Sequence, residues 1–340
     1  MTIRAREGDL IENAGRVIFD VKGLAHPQDR IVAFPRFIPD SAGNRRRRNT
    51  LYGKIYSLSE RYRFLESNFP LYLVRDPIFD ETFCEVPVCE VRKHYDPVER
   101  LRRLRSSKKL NRLESRALRM TELLKEAANI PWNAIGVSGS ILVGLHTENS
   151  DIDPIVYGSH DCLKVHSVLK SLLNDEHGPL KPYTREDLKT LFDFRSKDTA
   201  MGFSDFVRTE SRKVMQGKFM GTDYFIRFVK DWNEVDETYG DVRYKNIGYA
   251  RIKATIVDDS EAIFTPCKYK IKNPSVIEGL KLQPISEIAS FRGRFCEQAE
   301  AGETVIAQGK VEQVEDVRKC NEYFRLLIGN KPSDCMLPEC

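Results

Sequence analysis

The segment Gly136-Val137-Ser138-Gly139-Ser140 is followed, after ten residues, by Asp151-Ile152-Asp153. Ala134-Ile135-Gly136-Val137 reads as a short buried strand, and Ile141 to Thr147 begins a helix. A strand thus runs into Gly139-Ser140 and a helix leaves it. Gly139 lets a ligand approach the backbone with no Cβ in the way. The helix start offers N–H groups and the positive end of the dipole to phosphate oxygens. The Ser140 hydroxyl adds one more donor.

Ile152 to Tyr157 reads as a second strand, so Asp151 and Asp153 share one of its faces, roughly 6–7 Å apart. Two like charges at that distance repel by ~2.5 kcal/mol at an effective dielectric of ~20. Such a pair gains nothing structurally unless a cation sits between the carboxylates. Mg²⁺ prefers carboxylate oxygens together with substrate phosphates. The pattern is a phosphate cradle and a metal clamp separated by one helix.

These residues resemble the nucleotidyltransferase superfamily of DNA polymerase β type. Its signature is a Gly-Ser or Gly-Gly turn, about ten residues, Asp-x-Asp flanked by apolar residues, and a third carboxylate on a later strand. Gly139-Ser140 and Asp151-Ile152-Asp153 match it, with Ser150 before the pair. The texture around Gly144-Leu145, inside the expected helix, is similar to minimal and archaeal members. Pro154 departs from the usual apolar residue after the second aspartate. The resemblance covers about residues 131–235. It implies a nucleotidyltransferase-type α/β catalytic domain; with the flanking β-rich domains read from the residues below, the chain is expected to be an α+β protein.

The third carboxylate is expected at Asp223, in Gly221-Thr222-Asp223-Tyr224-Phe225-Ile226-Arg227-Phe228. Asp193 is the rival, in a helical neighbourhood. On a strand Asp223, Phe225 and Arg227 share a face, so Arg227 would meet a triphosphate or balance the acids. The resemblance implies two-metal transfer of a nucleotidyl group. Asp151, Asp153 and Asp223 would be the Mg²⁺ ligands and catalytic acids; Gly139, Ser140 and Arg227 would bind the nucleotide, with ATP the expected NTP. The acceptor is expected to be RNA. The alternatives are AMP transfer to a protein or small-molecule hydroxyl, or a non-catalytic nucleic-acid-binding protein on the same scaffold. His146 would reach a phosphate or cap the motif helix. His26, before Pro27, reads as a turn residue, and Trp132 and Trp232 as core packing.

Outward from the motif, residues 1–95 read as an N-terminal β-rich domain. In it Arg30-Ile31-Val32-Ala33-Phe34 is a strand stopped by Pro35 and Pro39. Arg45-Arg46-Arg47-Arg48, after Gly43-Asn44, reads as an exposed basic loop and the candidate nucleic-acid contact. Residues 96–130 read as a basic helical linker. Asp96-Pro97-Val98-Glu99 and Asn111 with Glu114 are two capping boxes. Leu113, Ala117, Met120, Leu124 and Ala127 form the stripe of the second helix. From Glu99 to Arg119 there are nine Lys/Arg and two Glu. Residues 131–239 would be the catalytic domain, with helices over Cys162–Leu173, from Thr184, and over Ser204–Met215. Residues 240–340 read as a C-terminal β-rich domain, a small barrel.

The 340 residues are 41% hydrophobic and 31% charged, enough apolar material for real cores. No apolar run approaches the ~20 residues of a membrane helix, and the N-terminus is too polar for a signal peptide. Eight cysteines without a CxxC pair read as reduced thiols in a cytoplasm, not as zinc ligands. The net charge of +4 is uneven: residues 1–130 carry +8 and the remainder −4. A basic front half suits an anionic partner.

Overall fold

A computed structural model describes residues 3–196, 201–280 and 284–339. It is a mixed α+β protein with two compact units. The first holds residues 1–74, 82–182 and 214–236; the second holds 75–81, 183–213 and 237–340.

The first unit opens with strands β1 (Leu10–Asn13), β2 (Ile18–Val21), β3 (Arg30–Pro39), β4 (Arg45–Arg47) and β5 (Thr50–Lys54). Helix α1 (Leu58–Asn68) follows, then β6 (Leu73–Asp76), β7 (Glu81–Pro87) and β8 (Val91–Tyr95). The sheet order is β4-β5-β3-β2-β1-β8, with β7 also on β3 and β6 on β7. Neighbouring residues serve opposite faces, as a two-residue period requires. Ile11, Phe19 and Val21 pack with Leu65 of α1. Leu10, Ile18, Phe37, Tyr52 and Tyr95 pack with Leu142, Val143 and Leu145 of the motif segment. Strands β1, β2, β3, β5 and β8 therefore share a core with the chain that carries the motif.

Two expectations for this sheet are corrected. Pro35 does not stop β3, which runs on and ends at Pro39. Ile18 pairs with Phe37 and Phe19 with Pro35, so Arg36 is an extra residue in a bulge. The bulge accommodates the missing Pro35 N–H. The Arg45–Arg48 run is not an exposed loop: Arg45–Arg47 is β4, paired with β5. Arg45 is buried, donating to Leu145 O at 2.6 Å and Ser150 Oγ at 3.3 Å. Arg47 donates to Tyr95 Oη, Glu12 and Tyr52 Oη. Arg46 and Arg48 remain exposed.

Helices α2 (Pro97–Ser106) and α3 (Arg112–Ala128) start where their caps predict. The Asn111 box is complete. At Asp96 half of it forms, because Glu99 pairs instead with Arg102 and Arg103. The stripe of α3 ends on buried Ala128, with Ala127 exposed. Next come β9 (Ile135–Val137), α4 (Gly139–Leu142), β10 (Pro154–Tyr157), α5 (Ser159–Leu173) and β11 (Leu180–Lys181). The motif helix is a single short turn rather than a helix to Thr147, and Gly144 ends it with φ +67°.

In the second unit α6 (Arg185–Arg195) starts on a complete Thr184 box, and α7 (Phe203–Glu210) stops five residues short of Met215. The first unit resumes with β12 (Gln216–Phe219), β13 (Thr222–Phe225) and β14 (Arg227–Val229). β10 lies between β9, antiparallel, and β14, parallel; β13 continues into the β11-β12-β13 sheet.

The second unit also holds β15 (Val242–Asp258), β16 (Cys267–Gly279), β17 (Ile285–Ser290), β18 (Thr304–Asp316), β19 (Asn321–Leu327) and β20 (Cys335–Pro338). The order β15-β16-β17-β19-β18 closes because β15 also pairs with β18. β17 and β19 are parallel, and the other barrel pairings are antiparallel. The 17-residue β15 serves both neighbours by bending at repeated register shifts. Ala250, Ile252, Ala254 and Ile256 are its buried face.

No helix among the described residues is long and apolar enough to cross a membrane. The seven described cysteines are unpaired.

Candidate active site

Val137 ends β9 and the chain reverses at Gly139, whose φ of +60° is the left-handed region that glycine tolerates. A Cβ on Gly139 would lie 1.8 Å from Asp153 Oδ2, so the glycine is what seats that carboxylate against the turn. The backbone fixes the same approach: Ser138 N–H donates to Asp153 O at 2.8 Å. Ser138 Oγ donates to Gly8 O at 2.6 Å. Leu142 N–H bonds back to Ser138 O, so the earlier amides of the turn have no intrahelical partner. Ser140 Oγ is buried without a hydrogen-bond partner.

Ile152 N–H donates to Asp223 O at 2.9 Å, and Phe225 N–H donates to Ile152 O at 3.0 Å. This is parallel pairing of Ile152 with Tyr224. Both are buried, so their side chains take the core face. Asp151, Asp153, Asp223 and Arg227 take the other face. The sequence pair and the later acid thus meet on adjacent strands in register. Asp223 is exposed and leans on Lys218 at 3.7 Å. Among the described residues no three His, Cys, Asp or Glu side chains gather closely enough to hold a metal ion. Asp193 lies on α6, in the second unit, paired with Lys189 at 2.8 Å.

Burial and the neighbouring Asp151 push the Asp153 carboxyl up to about 7, against the pull of Lys54, Arg227 and Arg36. Lys54, at the end of β5, is pushed down to about 8 by burial and by Arg36, while Asp151 and Asp153 pull it up. Arg36 and Lys54 also flank the half-exposed Tyr56 ring, at 5.8 and 4.8 Å from its centroid. Arg227 is not free for a phosphate. It donates to the buried Glu7 at 2.9 Å and approaches Asp20 at 3.9 Å. Glu7 also accepts from Lys22 Nζ and Gly23 N–H. Burial opposes the Asp20 charge, but Lys22, Arg227 and Arg36 outweigh it and hold that carboxyl well below the usual range.

Glu7, Asp20, Arg36 and Lys54 are the residues that sequence reasoning missed. They come from strands and turns more than eighty residues before the motif, and no spacing rule connects them to it. His146 neither caps α4 nor meets the acids. Its Nε2 bonds Asn111 Nδ2 at 2.7 Å, at the start of α3. His26 sits in a turn against Ala5 O and Val32 N–H. Arg105 covers Trp132 at 3.7 Å and Arg4 covers Trp232 at 4.1 Å.

The residues present suit a divalent ion and a phosphate chain in three respects. Two carboxylates converge on a glycine turn with the nearer one's charge suppressed. A buried hydroxyl lacks a partner, and Lys54 and Arg36 face the acids.

No protein-family model matches the chain, and no solved structure matches it. A full-length relative does. The chain is 32% identical over 337 residues, 97% of its length, to an uncharacterized protein, MJ1086, of Methanocaldococcus jannaschii, and covers 96% of that protein. The chain belongs to the family of that archaeal protein.

Proposed function

We propose that the chain is a Mg²⁺-dependent nucleotidyltransferase of DNA polymerase β type, which moves NMP from an NTP to an acceptor hydroxyl and releases pyrophosphate. One observation carries this reading. A left-handed glycine turn seats Asp153 beside Asp151, with Asp223 in register on the adjacent parallel strand.

Asp151 and Asp153 would hold the metal, with Asp223 as the third acid. Divalent ions held there neutralise phosphate charge and lower the pKa of the acceptor hydroxyl. The Ser140 hydroxyl and the amides of the turn take β- and γ-phosphate oxygens. Lys54 and Arg36 add positive charge on the side facing the acids. Arg227, pinned by Glu7 and Asp20, braces β14, the strand that follows the one carrying Asp223, rather than binding phosphate. Asp223 orients the acceptor hydroxyl and takes its proton. Positioning and electrostatics carry the rate.

RNA is the favoured acceptor. The second unit supports a polymer: its barrel order, with the third and fifth strands parallel, is that of OB-type barrels, a fold used to hold oligonucleotides. This support is a fold-level analogy. ATP is the nucleotide expected.

The test is incubation with α-phosphate-labelled NTPs, Mg²⁺, and either total RNA or total protein. Label on RNA, absent with Asp151→Ala, supports the proposal. Label on protein alone selects AMP transfer to a protein, and no label with either polymer refutes transfer to a polymer.

A further inference from the structure

The structure sorts the basic residues of the front half into those already used and those left over. Arg45 and Arg47 are bonded inside the first unit. Arg102 and Arg103 are neutralised by Glu99, and Arg100 by Glu114 at 2.6 Å. Arg105 lies on Trp132. Arg46, Arg48, Arg63 and Arg92 are also exposed, on other elements; Lys108, Lys109, Arg112 and Arg119 differ in lying together, on α3 and the turn before it. All four are exposed, and none forms an ion pair among the described residues.

These four share one corner of the first unit. Lys108 and Lys109 occupy the turn between α2 and α3. Arg112, Arg116 and Arg119 are spaced i, i+4, i+7 on α3 and so lie on one face. Arg116, the middle member, donates to Thr222 Oγ1, next in sequence to Asp223. Asn111, at the head of α3, bonds His146, which follows the glycine turn in sequence and precedes the acid pair. The cationic stripe therefore adjoins the candidate site from both Asp223 and the motif loop. Arg112 to Arg119 spans about 10.5 Å at 1.5 Å per residue, one to two phosphate repeats of an extended strand.

We infer that the Lys108–Lys109–Arg112–Arg119 corner is the contact for the phosphate backbone of a single-stranded RNA acceptor, holding its end at Asp223. This rests on the transferase reading for the role of that end. The run of unpaired cations suits a polyanion, and contact with one ridge of a helix suits a single strand better than the two strands of a duplex. Contacts of this kind are sequence-independent and strongly salt-dependent.

The probe is a 5′-labelled oligo(U) strand, titrated by fluorescence anisotropy over a range of salt concentrations. The variant is Lys108→Gln/Lys109→Gln/Arg112→Gln/Arg119→Gln in the full chain. Loss of four contacts should reduce the slope of log K against log salt by nearly 3, at about 0.7 per charge. The swap Lys108→Arg/Lys109→Arg should keep the wild-type slope, which guards against a folding defect. An unchanged slope in the quadruple variant overturns the inference. So does a slope change in Arg46→Gln/Arg48→Gln instead, or equal binding of an RNA duplex. The two readings fail separately. A wild type that binds oligo(U) through these residues yet transfers nothing refutes only the transferase. A wild type that transfers to RNA without a slope change in the variant refutes only the corner.

Discussion

Asp153→Asn should stabilise the metal-free protein at neutral pH. Burial and Asp151 raise the Asp153 carboxyl to about 7 from an ordinary value of 3.8. The folded chain then holds this proton more tightly than the unfolded chain does. Stability from this group is full below about pH 4 and is lost as pH rises through 7. At ~1.4 kcal/mol per unit the ceiling is ~4 kcal/mol. Asp153 is part-exposed and titrates with its neighbour, which reduces this to about 1–2 kcal/mol. The neutral asparagine escapes the penalty, so its melting temperature should exceed wild type by a few degrees near pH 8 in EDTA. Near pH 5 the gap should narrow, closing only below about pH 4. Added Mg²⁺ should raise the wild-type melting temperature and leave the variant unmoved. Calorimetric melting of both proteins at the two pH values, with and without Mg²⁺, reads all four points. A variant that melts below wild type by the same margin at both pH values would refute the reasoning.

Three further outcomes follow from the same geometry. Gly139→Ala places a Cβ where Asp153 Oδ2 now lies, at a backbone angle that costs alanine about 1–2 kcal/mol. It should abolish labelling of the acceptor and lower the denaturation midpoint. Lys54, pushed down to about 8, loses its charge as pH rises through that value, so NTP affinity measured by titration should fall there. Lys54→Arg should extend the plateau to higher pH. Arg45→Ala leaves Leu145 O and Ser150 Oγ without their buried donor and should cost ~2–3 kcal/mol in chemical denaturation. Arg48→Ala should be neutral within about 0.5 kcal/mol.

Local signals read well in this sequence because their causes are local. The Asn111–Glu114 capping box forms at the expected residues, and α6 starts at Thr184 as expected. Asp151 and Asp153 share a face because strand alternation needs no tertiary information; that Asp223 joins them is decided by the long-range pairing of Ile152 with Tyr224. The basic run was opaque for the opposite reason. Four consecutive arginines show no alternation, so nothing revealed that Arg45 and Arg47 turn inward on a strand. Gly144 ends the motif turn with a left-handed angle, where a longer helix was expected. Arg36 and Lys54 reach the acids through the register of β2, β3 and β5, and the bulge at Arg36 is decided by long-range pairing. Pro35, expected to stop a strand, sits at that bulge instead. The closure of β15 onto β18 is likewise a contact across 49 to 74 residues, which a reading by segments leaves open.

The central claim is that Asp151 and Asp153 hold a divalent ion that carries a triphosphate. Calorimetric titration with a non-hydrolysable ATP analogue, in Mg²⁺ and in EDTA, tests it most directly. Saturable binding that requires Mg²⁺ and vanishes in Asp151→Asn/Asp153→Asn is the result predicted. Binding that survives EDTA, or that the double variant retains at wild-type affinity, would contradict it.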